Sequence, residues 1–155
     1  MLRKSGMAGD ARRAARGFCR DERGVTAIMT GLLATALMGF AGLAVDVGIW
    51  EMNLRNAQGA ADLAAYSAAI GANKGADTTI EAKGVAASMG FIDGDSGVTV
   101  TVRHPPISGP HAGDSAAYEI IVQKPQQLYL AQLFLPKAPT VRGRAVALAG
   151  KGLVE

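Results

Sequence analysis

Residues 24–45 read GVTAIMTGLLATALMGFAGLAV, 22 consecutive positions without a charge. At 1.5 Å per residue such a run makes a helix of roughly 33 Å, enough to cross a bilayer core about 30 Å thick. In lipid a lone segment must satisfy its own backbone groups, and only a helix does so. A cleaved secretory signal is the competing explanation. Its apolar region is shorter, about 7–15 residues, and ends at a small-residue cleavage site followed by a break. Here the run is longer and the helical pattern continues past it, so an anchor is expected, with a transmembrane helix over 24–50.

Charge orients that anchor. Residues 1–23 hold seven Lys/Arg against three acids, whereas 51–155 balance nine bases with nine acids. The overall net charge of +3 is therefore a local N-terminal feature. Basic residues beside a membrane span hold that side in the cytoplasm. The sequence thus predicts a basic cytoplasmic arm (1–23) at the inner, cytoplasmic membrane, a single pass, and an exported domain (51–155). A nucleic-acid partner is not expected, because the basic arm lacks the interleaved aromatics of a binding face. Cys19, the one cysteine, excludes an internal disulfide framework. It is read as an unmodified cytosolic thiol, with reversible lipidation as the alternative.

Within the span, Gly31, Thr35 and Gly39 recur every four residues, and Ala44 and Gly48 repeat the spacing. Small residues so placed let a second helix approach closely, although glycine is also common in membrane helices generally. Asp46 falls where the helix leaves the membrane, with Trp50 one turn later. An acid there is either a functional group in the bilayer or a hydrated carboxylate beside an aromatic belt residue. The hydrated, interfacial reading is preferred.

Beyond the membrane, EMNLRNAQGAADLAAYSAAI (51–70) has no proline and many helix formers. Ala57, Ala60, Ala61, Ala64, Ala65 and Ala68 fall at three- and four-residue steps, a narrow small-residue stripe. The helix is expected to run on to about Gly71, giving a rod of roughly 70 Å. Glycine and asparagine at 71–75 then stop it. A second helix, 78–89, is predicted from Thr78-Thr79-Ile80-Glu81 read as a capping box and Gly90 as terminator, with Ile80, Val85, Ala87 and Phe91 facing inward. Thereafter the period changes to two. Strands are predicted at 98–103, 117–124 and 140–149, with a Pro/Gly-rich loop at 104–116 and one or two helical turns in QQLYLAQLFL. The fold class is α+β: a long N-terminal helix, a short helix, and a three-stranded antiparallel sheet packed on the exported half of the long helix.

No constellation for catalysis appears. His104 and His111 share a loop without ligand spacing. Asp93-Gly94-Asp95-Ser96-Gly97 lacks the twelve-residue calcium pattern and its terminal Glu, and is read as a turn. No phosphate loop, nucleophile elbow or zincin helix is present. No catalytic residue, metal or cofactor is expected, and the protein is expected not to be an enzyme.

The stretch DERGVTAIMTGLLATALMGFAGLAVDVGIWEMNLRNAQGAADLAAYSAA resembles the N-terminal region of TadG-like proteins of the bacterial tight-adherence (Flp-type) pilus system, relatives of the TadE-like minor pilins. The resemblance is carried by Arg23-Gly24, LAVDVG at 43–48 and Gln-x-x-Ala-Asp at 58–62. It implies a membrane-anchored, pilin-like protein whose exported domain works with other pilus or secretion-system membrane proteins. It also marks Asp46, Gly48, Gln58 and Asp62 as family-matched positions. Two departures are informative. TadE-like pseudopilins carry Glu five residues after the cleaved Gly, where this chain has Met29, so the basic arm is expected to be retained. Full-length TadG-like proteins carry a von Willebrand A-type metal domain for which this chain leaves no room, so metal-dependent adhesion is not expected.

The leading expectation is an accessory or minor-pilin-like component acting by protein–protein contact, with Gly31, Thr35, Gly39 and Asp46 as the helix-partner interface. Whether the family-matched residues touch a partner or brace the chain's own sheet is open at this stage. The alternative is a stand-alone envelope module that binds a small ligand or surface polymer through loop 104–116.

Overall fold

The computed structural model describes residues 22–150. Residues 1–21, which hold most of the expected basic arm and Cys19, lie outside the described residues, as do 151–155. The chain divides into two compact units, Met1–Ala41 and Gly42–Glu155. Helix α1 (Glu22–Asn73) begins in the first and ends in the second. Helix α2 (Thr78–Ser88), strands β1 (Thr99–Arg103), β2 (Ala117–Pro125) and β3 (Thr140–Leu148), and a 3-10 turn (Ala131–Leu133) complete the second unit.

In the first unit the described residues are helical, and Val25, Ile28, Leu32, Leu33, Leu37 and Phe40 are all exposed. Exposed large apolar side chains along such a helix suit a lipid solvent. Among the described residues α1 is the one helix long and apolar enough to cross a membrane.

In the second unit β1, β2 and β3 form one antiparallel sheet in that order. Val102 pairs with Ile120 and Ile120 with Ala145, so these three share one face of the sheet. That face meets the alanine stripe of α1. Ala57, Ala60, Ala61, Ala64, Ala65 and Ala68 are all buried, in one cluster with Val100, Tyr118, Ile120, Val122 and Val141. Small side chains bring the helix axis close to the strands, so large residues on the sheet fill the layer that alanines leave thin.

The two backbones approach closely at Gly143 in β3. A Cβ there would stand 2.6 Å from the Gln58 amide nitrogen and nearer still to the Ala57 carbonyl. Glycine in a strand interior marks such an approach of two backbones. The Gln58 side chain then pairs with the neighbouring β3 backbone. Its Nε2 donates to the Arg144 carbonyl at 3.0 Å, and its Oε1 accepts from the Arg144 N–H at 3.1 Å. β3 is an edge strand, and this amide caps part of its open edge.

Both helices end in the same way. Gly75 and Gly90 adopt φ of 72° and 86°, a left-handed conformation that a Cβ disfavours. Ala76 N–H then bonds the Gly71 carbonyl, and Phe91 N–H the Ala86 carbonyl, each five residues back. The second of these ends delivers Phe91 into the core.

The start of α2 departs from expectation. Its N-cap is Asp77, not Thr78: the carboxylate accepts from Thr79 and Ile80 N–H. A carboxylate serves two N–H groups and suits the positive end of the helix, which an alcohol does less well. Glu81, freed from capping, accepts from Ser67 Oγ of α1 at 2.8 Å. The inward face is also different. Ala82 and Ala86 are buried, Val85 and Ala87 half-buried, and Ile80 is 71% exposed. Ile80 lies two residues from Ala82, about 200° around the helix, so burial of the alanine turns the isoleucine outward.

The strands differ from expectation by a residue at their ends. Val98 is buried but precedes β1, β2 runs one residue further, to Pro125, and β3 stops at Leu148. The DGDSG segment is the expected turn. Asp93 Oδ1 accepts the Val100 N–H at 2.8 Å, and Lys83 Nζ lies 2.7 Å from its other oxygen. The Lys83 bond first, and the Val100 N–H next, hold this carboxyl below its ordinary value.

Candidate functional site

The residues singled out by sequence fall on α1, in two groups. Gly31, Thr35 and Gly39 belong to the first unit. Gly31 and Thr35 are exposed, Gly39 is half-exposed, and a Cβ on either glycine would meet nothing within 4 Å. Thr35 Oγ1 donates to the Gly31 carbonyl at 2.9 Å, so its polar atom is satisfied within the helix and its methyl is left outward. This is a shallow strip on which another helix can lie closely.

Asp46 belongs to the second unit and behaves differently. The hydrated carboxylate expected at the membrane edge is replaced by one that is 0% exposed. Its Oδ2 accepts the Leu130 N–H at 2.9 Å and the Ala131 N–H at 2.6 Å, capping the 3-10 turn. Its Oδ1 is buried with no hydrogen-bond partner among the described residues. One turn earlier a Cβ on Gly42 would collide with Leu130 Cδ1, so the turn sits directly on the helix.

Further contacts extend this ladder. Trp50 Nε1 donates to the Gln127 carbonyl at 3.2 Å. Asn53 Nδ2 donates to Gln126 Oε1 at 2.7 Å, and Gln126, itself buried, donates to the Lys124 carbonyl. Gln58 holds Arg144 as above and also donates to Asp62 Oδ1 at 2.9 Å, which orients the amide. Asn73 closes the series on the Gly150 carbonyl at 2.9 Å. Asp46, Trp50 and Asn53 lie three or four residues apart, on one face of the helix. Of the family-matched positions, Asp46 and Gln58 therefore brace the chain's own C-terminal half, and Asp62 holds the Gln58 amide. Gly48 is exposed and touches nothing.

The other face of the sheet carries a charge cluster that sequence reasoning missed. Glu119 is fully buried and is bonded by Arg144 Nε, with Arg103 Nη1 at 3.5 Å. Arg144 Nη2 also donates to the Ser108 carbonyl at 2.7 Å, pinning loop 104–116. Pro106 in that loop is fully buried. A Glu between apolar residues in AYEIIVQK, with Arg in both flanking strands, was the available signal. His104 stacks on Tyr118 with ring centroids 4.1 Å apart, and His111 Nδ1 lies 3.8 Å from Asp114. Among the described residues no three His, Cys, Asp or Glu gather where a metal ion could be held.

A cleft of about 360 Å³ opens beside the ladder, lined by Ile49, Asn53, Ser96, Lys124, Gln127 and Tyr129 among others. It offers amides, hydroxyls and one ammonium, but no carboxylate, thiol or imidazole. Such a lining can form hydrogen bonds to a bound group.

Comparison with known proteins gives a family match. The model described as "Putative Flp pilus-assembly TadE/G-like" matches residues 24–73, about a third of the chain and nearly all of α1. No curated protein and no solved structure matches. Over residues 24–73 the chain is similar to the TadE/G-like Flp pilus-assembly family.

Proposed function

We propose that this protein is a membrane-anchored accessory or minor-pilin-like component of a Tad (Flp-type) pilus or secretion apparatus, acting through protein–protein contact and not by catalysis. The observation that carries the reading is the double character of the matched segment. Its first part is apolar and exposed, and its second part is the backbone on which an α+β domain is built. In this reading the N-terminal arm is cytoplasmic, α1 makes a single pass through the inner membrane, and the sheet is exported. The C-terminal half is tied to α1 at Asp46, Trp50, Asn53 and Gln58, so a pull or twist on that part of the helix is carried to the sheet. Partner membrane proteins pack on Gly31, Thr35 and Gly39, and Asp46 serves the chain's own fold.

The test is Gly39→Leu in the full chain, followed by co-purification with other pilus proteins from detergent-solubilised native membranes. An isobutyl group on the small-residue strip is expected to reduce the captured partners several-fold, about the loss of 1 kcal/mol of helix packing. Capture at the parent level removes the helix-partner claim.

A further inference from the structure

Residues 125–136 (PQQLYLAQLFLP) form a second uncharged stretch, bounded by Lys124 and Lys137. Its 3-10 turn does not bury the large apolar residues. Leu133 is 74% and Phe134 70% exposed, and Tyr129 and Leu130 are also exposed, while of the stretch's apolar residues only the small Ala131 is buried. A water-facing loop with this composition is unusual, because exposed leucine and phenylalanine side by side favour association. The position of the turn identifies what covers it. Asp46, the first charged residue after the 22-residue uncharged run, holds the backbone of Leu130 and Ala131, and Leu130 lies on Gly42 one turn earlier. The turn is therefore clamped to the helix at the level where the lipid-soluble stretch ends. Val45 and Val47, each about 100° around the helix from Asp46, are exposed on either side of it.

We propose that the turn around Leu133 and Phe134 is a membrane foot, seated in the headgroup–acyl boundary of the bilayer that α1 crosses. Leu133 and Phe134 enter the upper acyl region, and the Tyr129 ring lies at the interface, as aromatic belt residues do. Lys137 at the far end of the stretch reaches the lipid phosphates, while the Lys124 ammonium lies over the Phe91 ring, 5.7 Å from its centroid. The foot gives the exported domain a second attachment to the bilayer besides the helix. It rests on the membrane reading of α1, and the experiment separates the two.

The full chain, with Cys19→Ser, carries a single environment-sensitive fluorophore at Leu133→Cys, Phe134→Cys, Ile107→Cys or Leu32→Cys. Each is reconstituted into phosphatidylethanolamine/phosphatidylglycerol vesicles containing lipids with nitroxides at shallow or deep acyl positions. Probes at 133 and 134 are expected to be blue-shifted and quenched most by the shallow nitroxide. The probe at 32 is expected to be quenched most by the deep one. The probe at 107, on an exposed residue of the loop pinned by Arg144, should remain unquenched. If 32 is quenched while 133 and 134 behave like 107, the foot is in water and the proposal falls, with the anchor intact. Blue-shifted emission at 133 and 134 without lipid quenching means a second copy of the chain covers the turn, and overturns it equally. An unquenched probe at 32 removes the membrane reading and the foot with it.

Discussion

Replacing Gly143 by alanine adds one methyl group at a tight contact between sheet and helix. The new Cβ would face backbone atoms only, 2.6 Å from Gln58 N and nearer still to the Ala57 carbonyl, none of which can rotate away. To reach an ordinary 3.4 Å contact, β3 and α1 must part by close to 1 Å. That separation stretches both Gln58–Arg144 hydrogen bonds, now 3.0 and 3.1 Å, beyond useful length. Overpacking of this kind costs about 1–3 kcal/mol, and each lost hydrogen bond about 0.5–1.5 kcal/mol. The sum, about 2–6 kcal/mol, is a large part of the stability of a domain this size. Thermal unfolding of the full chain in detergent micelles, followed by the near-ultraviolet signal of its aromatic rings, is expected to show a midpoint lower by about 10–25 °C. Gly84→Ala is the control, since a Cβ there meets nothing within 4 Å. Within a helix it should be neutral or stabilise by up to about 1 kcal/mol. A Gly143→Ala midpoint within about 3 °C of the parent, less than 1 kcal/mol would produce, refutes the close-approach argument.

Asp46→Ala strips the acceptor from two turn N–H groups and should destabilise by about 1–3 kcal/mol, whereas Asp46→Asn keeps one oxygen and should lose about half as much. Equal losses in the same unfolding assay would show that the oxygen is not what holds the turn. Glu119→Gln keeps the shape but leaves Arg103 and Arg144 without their buried counter-charge; both are about one-third exposed, so a loss of about 1–3 kcal/mol is expected. A midpoint unchanged from the parent would mean that the cluster contributes nothing net. Asp93 has a folded pKa below its ordinary value of 3.8, so the folded state binds fewer protons than the unfolded chain near that pH. Its contribution is complete above about pH 5 and is lost as pH falls through 4 and below. Because Lys83 and Asp93 are 42% and 33% exposed, the effect stays under about 1 kcal/mol. Asp93→Asn should flatten the acid limb of the stability profile by that amount, and an acid limb identical to the parent's would assign the loss to other carboxylates.

The elements of this protein were largely legible from period and composition. A 22-residue uncharged run, an alanine stripe at helical spacing and valines at alternate positions each report a local environment: an apolar surround long enough to be a bilayer, a close-packed neighbour, or a half-buried pleat. Such signals need only the residues within one or two turns, which is why the long helix and the three strands could be read directly. The identity of the second helix's cap and its buried face could not. Asp77 and Thr78 are both competent caps, and the choice between them, with the fate of Ile80, depends on where Ala82 and Ala86 must meet α1. The roles of Asp46, Gln58 and Glu119 lay further out of reach. Each is defined by partners 16 to 86 residues away in the chain. A carboxylate or amide has the same local sequence whether water, lipid headgroups or a distant backbone N–H satisfies it; only the packing of the sheet against the helix excludes water and selects the partner.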